Sequence, residues 1–157
     1  MLARRSRSRQ EIAIDLDGKG FTSQTIEDVI GELLERGWLD DEKLAGDIIL
    51  GCQRANKGWS RIYADLRKRR IDRELIEESL SKYFDPEKEC ATAKYLVQKN
   101  LATCPSPPEK ADIERAARRV SGRGFSPPSV ASALDELVRG DTTGRKQGFL
   151  DTDSQLS

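Results

Sequence analysis

The sequence predicts an all-α protein built as three tandem three-helix modules, the last holding only two helices of its own, stacked into an elongated and curved body. Apolar residues recur at helical spacing along most of the 157 residues, and alternation of period two over a useful length is missing. One framework of apolar positions also appears three times. With Phe21, Ile71 and Phe125 as anchors, Leu16, Leu66 and Val120 stand five residues before, and Ile12, Ile62 and Ala116 nine before. Ile26, Ile76 and Val130 stand five residues after, and Ile30, Leu80 and Leu134 nine after. A unit this small has a marginal core by itself, and stacking on neighbours is the usual remedy.

The first helix of each copy places apolar residues four apart, as in Ile12 with Leu16 and Ile62 with Leu66, which puts them on one face. The junctions read GKGF at 18–21, RRID at 69–72 and GRGF at 122–125. A glycine just before the anchor suits a helix C-terminus in the left-handed region, with the anchor folding back onto the helix. Arg70 stands where the second copy would have that glycine, so its turn is expected to be less ideal or differently built.

The second helices start at Thr22 or Ser23, Asp72 and Ser126, all good N-caps, and Pro127 suits a first turn. A third helix follows GWLDD (37–41) and another follows YFDPE (83–87); Trp38 and Leu39 are expected to close the first core while Asp40 or Asp41 caps. The expected division is 1–56, 57–104 and 105–140, with CPSPP (104–108) as the clearest boundary because its prolines cannot continue a helix. Residues 141–157 lack apolar periodicity and are expected to be a disordered tail. The expected structural anchors are Leu16, Phe21, Ile26, Trp38, Leu39, Ile62, Leu66, Ile71, Ile76, Leu80, Phe125, Val130 and Leu134.

Composition excludes several chemistries. With no His, imidazole is removed from nucleophile activation and metal ligation. Cys52, Cys90 and Cys104 are odd in number and form no CxxC pair, so reduced thiols in a cytoplasmic protein are expected rather than a disulfide scaffold or a zinc site. GCQRANKG (51–58) lacks the order of a phosphate-cradling loop, and the adjacent Asp40 and Asp41 read as a cap rather than a metal site. No catalytic residue, metal ligand or cofactor is expected. A basic start with no apolar run behind it supports neither secretion nor membrane insertion.

Charge is balanced overall, at 27 basic and 27 acidic residues, yet segregated along the chain. Residues 26–47 are acidic, whereas 54–73 carry Arg54, Lys57, Arg61, Arg67, Lys68, Arg69, Arg70 and Arg73 against Asp65 and Asp72. Arg5 and Arg9 near the start, and Arg118, Arg119 and Arg123 in the third copy, repeat the basic theme. Forked guanidinium and flexible ammonium donors in such rows suit phosphates or an acidic protein groove. The expected contact set is Arg5, Arg9, Arg61, Arg67, Lys68, Arg69, Arg70, Arg73, Arg118, Arg119 and Arg123. Trp59, just before the middle basic helix, is expected to pack, with base stacking as the sharper alternative.

Four segments together resemble the RecX family of recombinase regulators: SRSRQEIAIDLDGKGF (6–21), IEDVIGELLERGWLDDEKLA (26–45), KGWSRIYADLRKRRIDRELIEESL (57–80) and GRGFSPPSVASALDEL (122–137). They follow the family order and span nearly its whole domain. Leu44, where the family commonly has Phe, and Arg70 in place of Gly are the departures. The resemblance implies a small, monomeric, cytoplasmic regulator of recombination, DNA repair and the SOS response, with tandem three-helix modules. It also implies a protein that binds the RecA recombinase filament on DNA and suppresses its ATPase, strand-exchange and coprotease activities without being an enzyme. Residue chemistry alone leaves two other classes open. One is a stand-alone protein binding single- or double-stranded DNA directly, and the other is a helical-repeat adaptor for a non-recombinase partner.

Overall fold

The computed structural model describes residues 6–144, with side chains described as far as Arg139; Arg5 and residues 145–157 lie outside the described residues. Among these there are eight α-helices and no strand. They are α1 (Arg9–Gly18), α2 (Ser23–Glu35), α3 (Asp41–Arg54), α4 (Trp59–Lys68), α5 (Arg73–Tyr83), α6 (Pro86–Leu101), α7 (Lys110–Ser121) and α8 (Pro127–Gly144). The chain divides into two compact units, residues 1–85 and 86–157.

Helix ends follow from local chemistry. Ser8 caps α1 in a reciprocal box, its hydroxyl accepting from the Glu11 amide at 3.2 Å while the Glu11 carboxylate accepts from the Ser8 amide at 3.0 Å. Thr22, Asp40 and Asp72 cap α2, α3 and α5, and the Ser126 hydroxyl accepts from the Ser129 amide at the start of α8. At the helix ends, Gly20 (φ 85°), Gly37 (φ 67°) and Gly124 (φ 88°) are left-handed. Arg70, with φ 55°, makes the same turn as the glycines. Its amide donates to the Arg67 carbonyl and that of Ile71 to the Leu66 carbonyl, just as Gly20 donates to Asp17 and Phe21 to Leu16. Of the two expectations for this junction, less ideal or differently built, the structure shows the first: the same motif, carried by a residue with a Cβ.

The helices group with their phase shifted by one from the expected division. In the first unit α3 packs on α4 and α5, and Leu44, Ala45, Ile49, Cys52, Ile62, Leu66, Ile71, Ile76 and Leu80 form one core. In the second unit α6 packs on α7 and α8, with Ala93, Leu96, Val97, Ala116, Val120, Phe125, Val130 and Ala133 as its core. The helix 41–54, expected in the first module, thus completes the core of the second copy, and 86–101 completes that of the third. The last module has three helices rather than two, and CPSPP is a loop inside it. A repeat is a cyclic pattern without an intrinsic start, and burial of Ala45 and Ile49, or of Ala93 and Val97, sets its phase. At one point α3 and α5 approach so closely that a Cβ on Gly46 would stand 3.1 Å from the Tyr83 ring.

The α1–α2 pair differs, because among the described residues no third helix covers it as α3 covers α4 and α5. Ile71 and Phe125 are 2% and 4% exposed, whereas the equivalent Phe21 is 48% exposed. Ile62, Leu66 and Val120 are at most 1% exposed, but Ile12 and Leu16 are only half-buried. Of the remaining anchors, Ile26, Leu39, Ile76, Leu80 and Val130 are buried and Leu134 half-buried. Trp38 does not close a core: it is 71% exposed, with the Arg36 guanidinium 5.2 Å from its ring centroid. Gly37 in the left-handed region turns the chain so that Leu39, not Trp38, points inward. Finally, α8 runs through Gly140 to Gly144, past the expected end at 140; one glycine weakens a helix by about 1 kcal/mol without ending it.

Candidate cationic interface

The middle basic segment folds as α4 and its turn into α5. Ile62 and Leu66 are fully buried and hold the helix on the core, which turns Arg61, Arg67 and Lys68 outward. Arg67 and Lys68 also occupy the last turn, where cations complement the helix dipole.

These cations are not equivalent. Asp65 accepts from Lys57 Nζ at 2.7 Å and from the Cys52 thiol at 3.6 Å, with Arg61 Nε 3.9 Å away. Burial pushes the Asp65 carboxyl up, but the Lys57 hydrogen bond and charge, the Cys52 thiol and the Arg61 charge outweigh it and leave it below its ordinary value. The hydrogen bond to Asp65 raises Lys57, and burial pushes the Cys52 thiol up, away from reactivity. Arg73 pairs with Glu77 at 2.8 Å. Arg67, Lys68 and Arg70 form no ion pair among the described residues, are exposed, and carry the uncompensated charge of this surface.

Arg69 is a structural cation. Its side chain is 13% exposed, and Nε donates to Glu11 Oε1 at 2.9 Å while the guanidinium also bonds the Ser6 carbonyl. It ties α4 to the capping box of α1. A second tie joins the starts of α1 and α3, where the Arg9 amide donates to both Asp41 carboxylate oxygens at 3.0 and 3.3 Å. Asp40 is therefore the cap of α3, while Asp41 accepts from the first amide of α1, and its burial pushes the carboxyl up against that hydrogen bond.

Two clefts flank Arg70. One, of about 440 Å³, is lined by Arg7, Glu11, Ile14, Asp15, Arg69 and Arg70. The other, of about 560 Å³, brings Arg9 and Arg70 together with Asp41, Asp72 and Glu74. Arg7 is paired with Asp15 at 3.2 Å, and Lys19 on the same carboxylate holds it below its ordinary value. In the second unit Arg118, Arg119 and Arg123 are exposed; Arg119 donates to the Asn100 side chain at 3.2 Å and Arg118 to the Glu114 carbonyl at 3.3 Å.

Two features lie outside the expected site. Glu11 partners Arg69 across 58 residues, and nothing local in the sequence signals it. Trp59 and Tyr63 stack with centroids 5.3 Å apart and planes inclined by 17°, and here the spacing of four on one helix was the available signal. Among the described residues no cluster of acids and cysteines is arranged to hold a metal, and no helix is long and apolar enough to cross a membrane.

Comparison with known proteins places this architecture. The family model for RecX, first three-helix domain, matches residues 1–33. The regulatory protein RecX of Pelodictyon phaeoclathratiforme is 32% identical over 139 residues, covering 88% of this chain and 84% of that protein. That of Stenotrophomonas maltophilia is 29% identical over 135 residues, covering 85% and 80%. The crystal structure of RecX from Lactobacillus salivarius superposes with a TM-score of 0.76 at 20% identity, over 88% of this chain and 90% of its own. A second RecX crystal structure gives 0.70 at 22% identity, over 85% and 67%. The two structures carry the fold, and the sequence relationship across most of both chains carries the ancestry: this chain belongs to the RecX family of regulatory proteins.

Proposed function

We propose that this chain binds the RecA recombinase filament on DNA and inhibits its ATPase, strand-exchange and coprotease activities. It does so as a cytoplasmic monomer that occupies the filament groove and alters filament assembly, with no chemistry of its own. Membership of a family of regulatory proteins carries the reading, and the charge surface supports it. Arg67, Lys68 and Arg70 present cations that no carboxylate among the described residues neutralises, available to acidic protein surface or phosphate. Arg118, Arg119 and Arg123 offer a second contact on the other unit.

A groove-bound protein that restrains subunit exchange lowers ATP hydrolysis without touching the nucleotide, so inhibition needs no nucleotide site here. The test is single-stranded-DNA-dependent ATP hydrolysis by the cognate RecA across a titration of this protein, with filament binding recorded in parallel. Substoichiometric inhibition accompanied by binding supports the reading, and Arg67→Glu with Lys68→Glu should raise the half-inhibiting concentration severalfold. Absence of both binding and inhibition rejects it.

A further inference from the structure

Trp59 opens α4 with 41% of its surface exposed and stacks on Tyr63 one turn along. Trp59, Tyr63 and Arg67 are four residues apart, so they climb one flank of the helix, beside the face that buries Ile62 and Leu66. Arg67 is exposed and unpaired among the described residues. Arg73, exposed at the start of α5, is held by Glu77 at 2.8 Å, so Arg67 is the uncompensated cation of this flank. A chain only 6% aromatic thus places two of its rings as a stacked ledge beside an exposed guanidinium.

We propose that this flank of α4 binds single-stranded nucleic acid, with a base stacked on the Trp59–Tyr63 ledge and an adjacent phosphate against Arg67. Bases in a duplex keep both faces on their neighbours, whereas an unpaired strand offers its π faces to an aromatic platform. Phosphates follow the strand at intervals that long arginines span, and an unpaired guanidinium releases counterions when it meets one. Every base has a π face and stacking reads none of its edges, so the binding tolerates many sequences. The inference does not rest on the recombinase reading, since nothing in it needs a protein partner.

Trp38 is the other tryptophan and is exposed, so the full-length Trp38→Phe protein has Trp59 as its sole indole emitter. It is titrated at low salt, without recombinase, with a labelled oligothymidylate of about 20 nucleotides, a length beyond the site size of one binding module. Trp59 emission should fall in step with the anisotropy of the label, and a duplex of equal length should compete less well. Tyr63→Ala should weaken binding at least about fivefold, within the range of one lost stacking contact, while Tyr63→Phe preserves it. Arg67→Glu, at an exposed site, should weaken binding and flatten its salt dependence, and it keeps the test decisive where Tyr63→Ala fails to fold. DNA binding that leaves Trp59 emission unchanged overturns the proposal, as does full affinity in a folded Tyr63→Ala protein. Quenching by the recombinase alone, with none by the oligonucleotide, also overturns it and makes the ledge a protein contact. Running the ATPase titration on the same protein separates the two readings, since inhibition that persists without oligonucleotide binding sinks only this one.

Discussion

Arg69 and Glu11, 58 residues apart, meet at 2.9 Å with both side chains largely out of solvent. The same Glu11 carboxylate completes the capping box of α1, so one residue terminates a helix and anchors the next module to it. Charge-assisted bonds of this kind are worth more than surface pairs, and removing one partner strands the other. Arg69→Met should therefore lower stability by about 2 kcal/mol, read from urea denaturation followed by far-UV circular dichroism. Arg67→Met and Lys68→Met should stay within about 0.5 kcal/mol, as surface changes do. Reversal of Arg67, Lys68 and Arg69 together would confound contact with folding, because Arg69 is the structural member of the three. Equal stability of Arg69→Met and Arg67→Met proteins would show that the Glu11 tie contributes nothing.

Arg70 holds a backbone conformation that glycine adopts without steric penalty. A left-handed residue with a Cβ is disfavoured by about 1–2 kcal/mol, while glycine loses more entropy on folding. The balance favours Arg70→Gly by about 1 kcal/mol, seen as a higher urea midpoint with an unchanged slope. A protein that keeps arginine here holds a strained turn and an exposed cation together. Under the proposed function, Arg70→Gly should accordingly gain stability while losing inhibitory potency toward the recombinase. A stability loss would mean that the Arg70 side chain supports the clefts it lines.

The fold class, the caps of α2, α3 and α5 and the two left-handed junctions at Gly20 and Gly124 were legible because each is decided within a few residues. Ile62 with Leu66, Asp72 before α5 and Gly124 before Phe125 are local statements that tertiary packing only confirms. The phase of the repeat was not legible, since α3 shows the same periodicity whether it closes the module before it or after it. Trp38 misled for a related reason: a large aromatic beside Leu39 suggests a core, but the turn at Gly37 decides which of the two faces inward. Among the contact candidates, exposure of Arg67 and Lys68 follows from their angle to Ile62 and Leu66. The capture of Arg69 by Glu11 depends on where α1 lies, and no local pattern encodes that.

Asp65 makes stability depend on pH in a defined direction. Its folded-state ionisation lies below the ordinary carboxyl value of 3.8, so the unfolded chain takes up its proton first as pH falls. The contribution is whole above about pH 4 and disappears as pH drops through the folded value. Lys57, raised above 10.5, mirrors it at the alkaline end, its contribution whole below that value and lost as pH climbs through the folded one. Asp65→Asn should cost about 1 kcal/mol at pH 7, discounted for the partial exposure of the pair. The gap to the parent protein should close on acidification. A gap independent of pH between 2 and 7 would assign the loss to packing or to the Cys52 contact instead.

Phe21 and Phe125 occupy the same repeat position with opposite surroundings, and this sets the last expectation. Phe125 is 4% exposed in the core shared by α6, α7 and α8; truncation to alanine opens a cavity there and should lower stability by about 3–5 kcal/mol. Phe21 folds back onto α1 through the bond from its amide to the Leu16 carbonyl, but 48% of its surface faces solvent. Water already reaches the ring, so truncation leaves little cavity and forfeits only the buried half of its transfer energy. Phe21→Ala should therefore lose about 1–2 kcal/mol, below the full-burial cost that the repeat pattern alone suggests. Urea denaturation of both variants decides between these figures. A Phe21→Ala loss as large as that of Phe125→Ala would mean that in solution the α1–α2 face is covered.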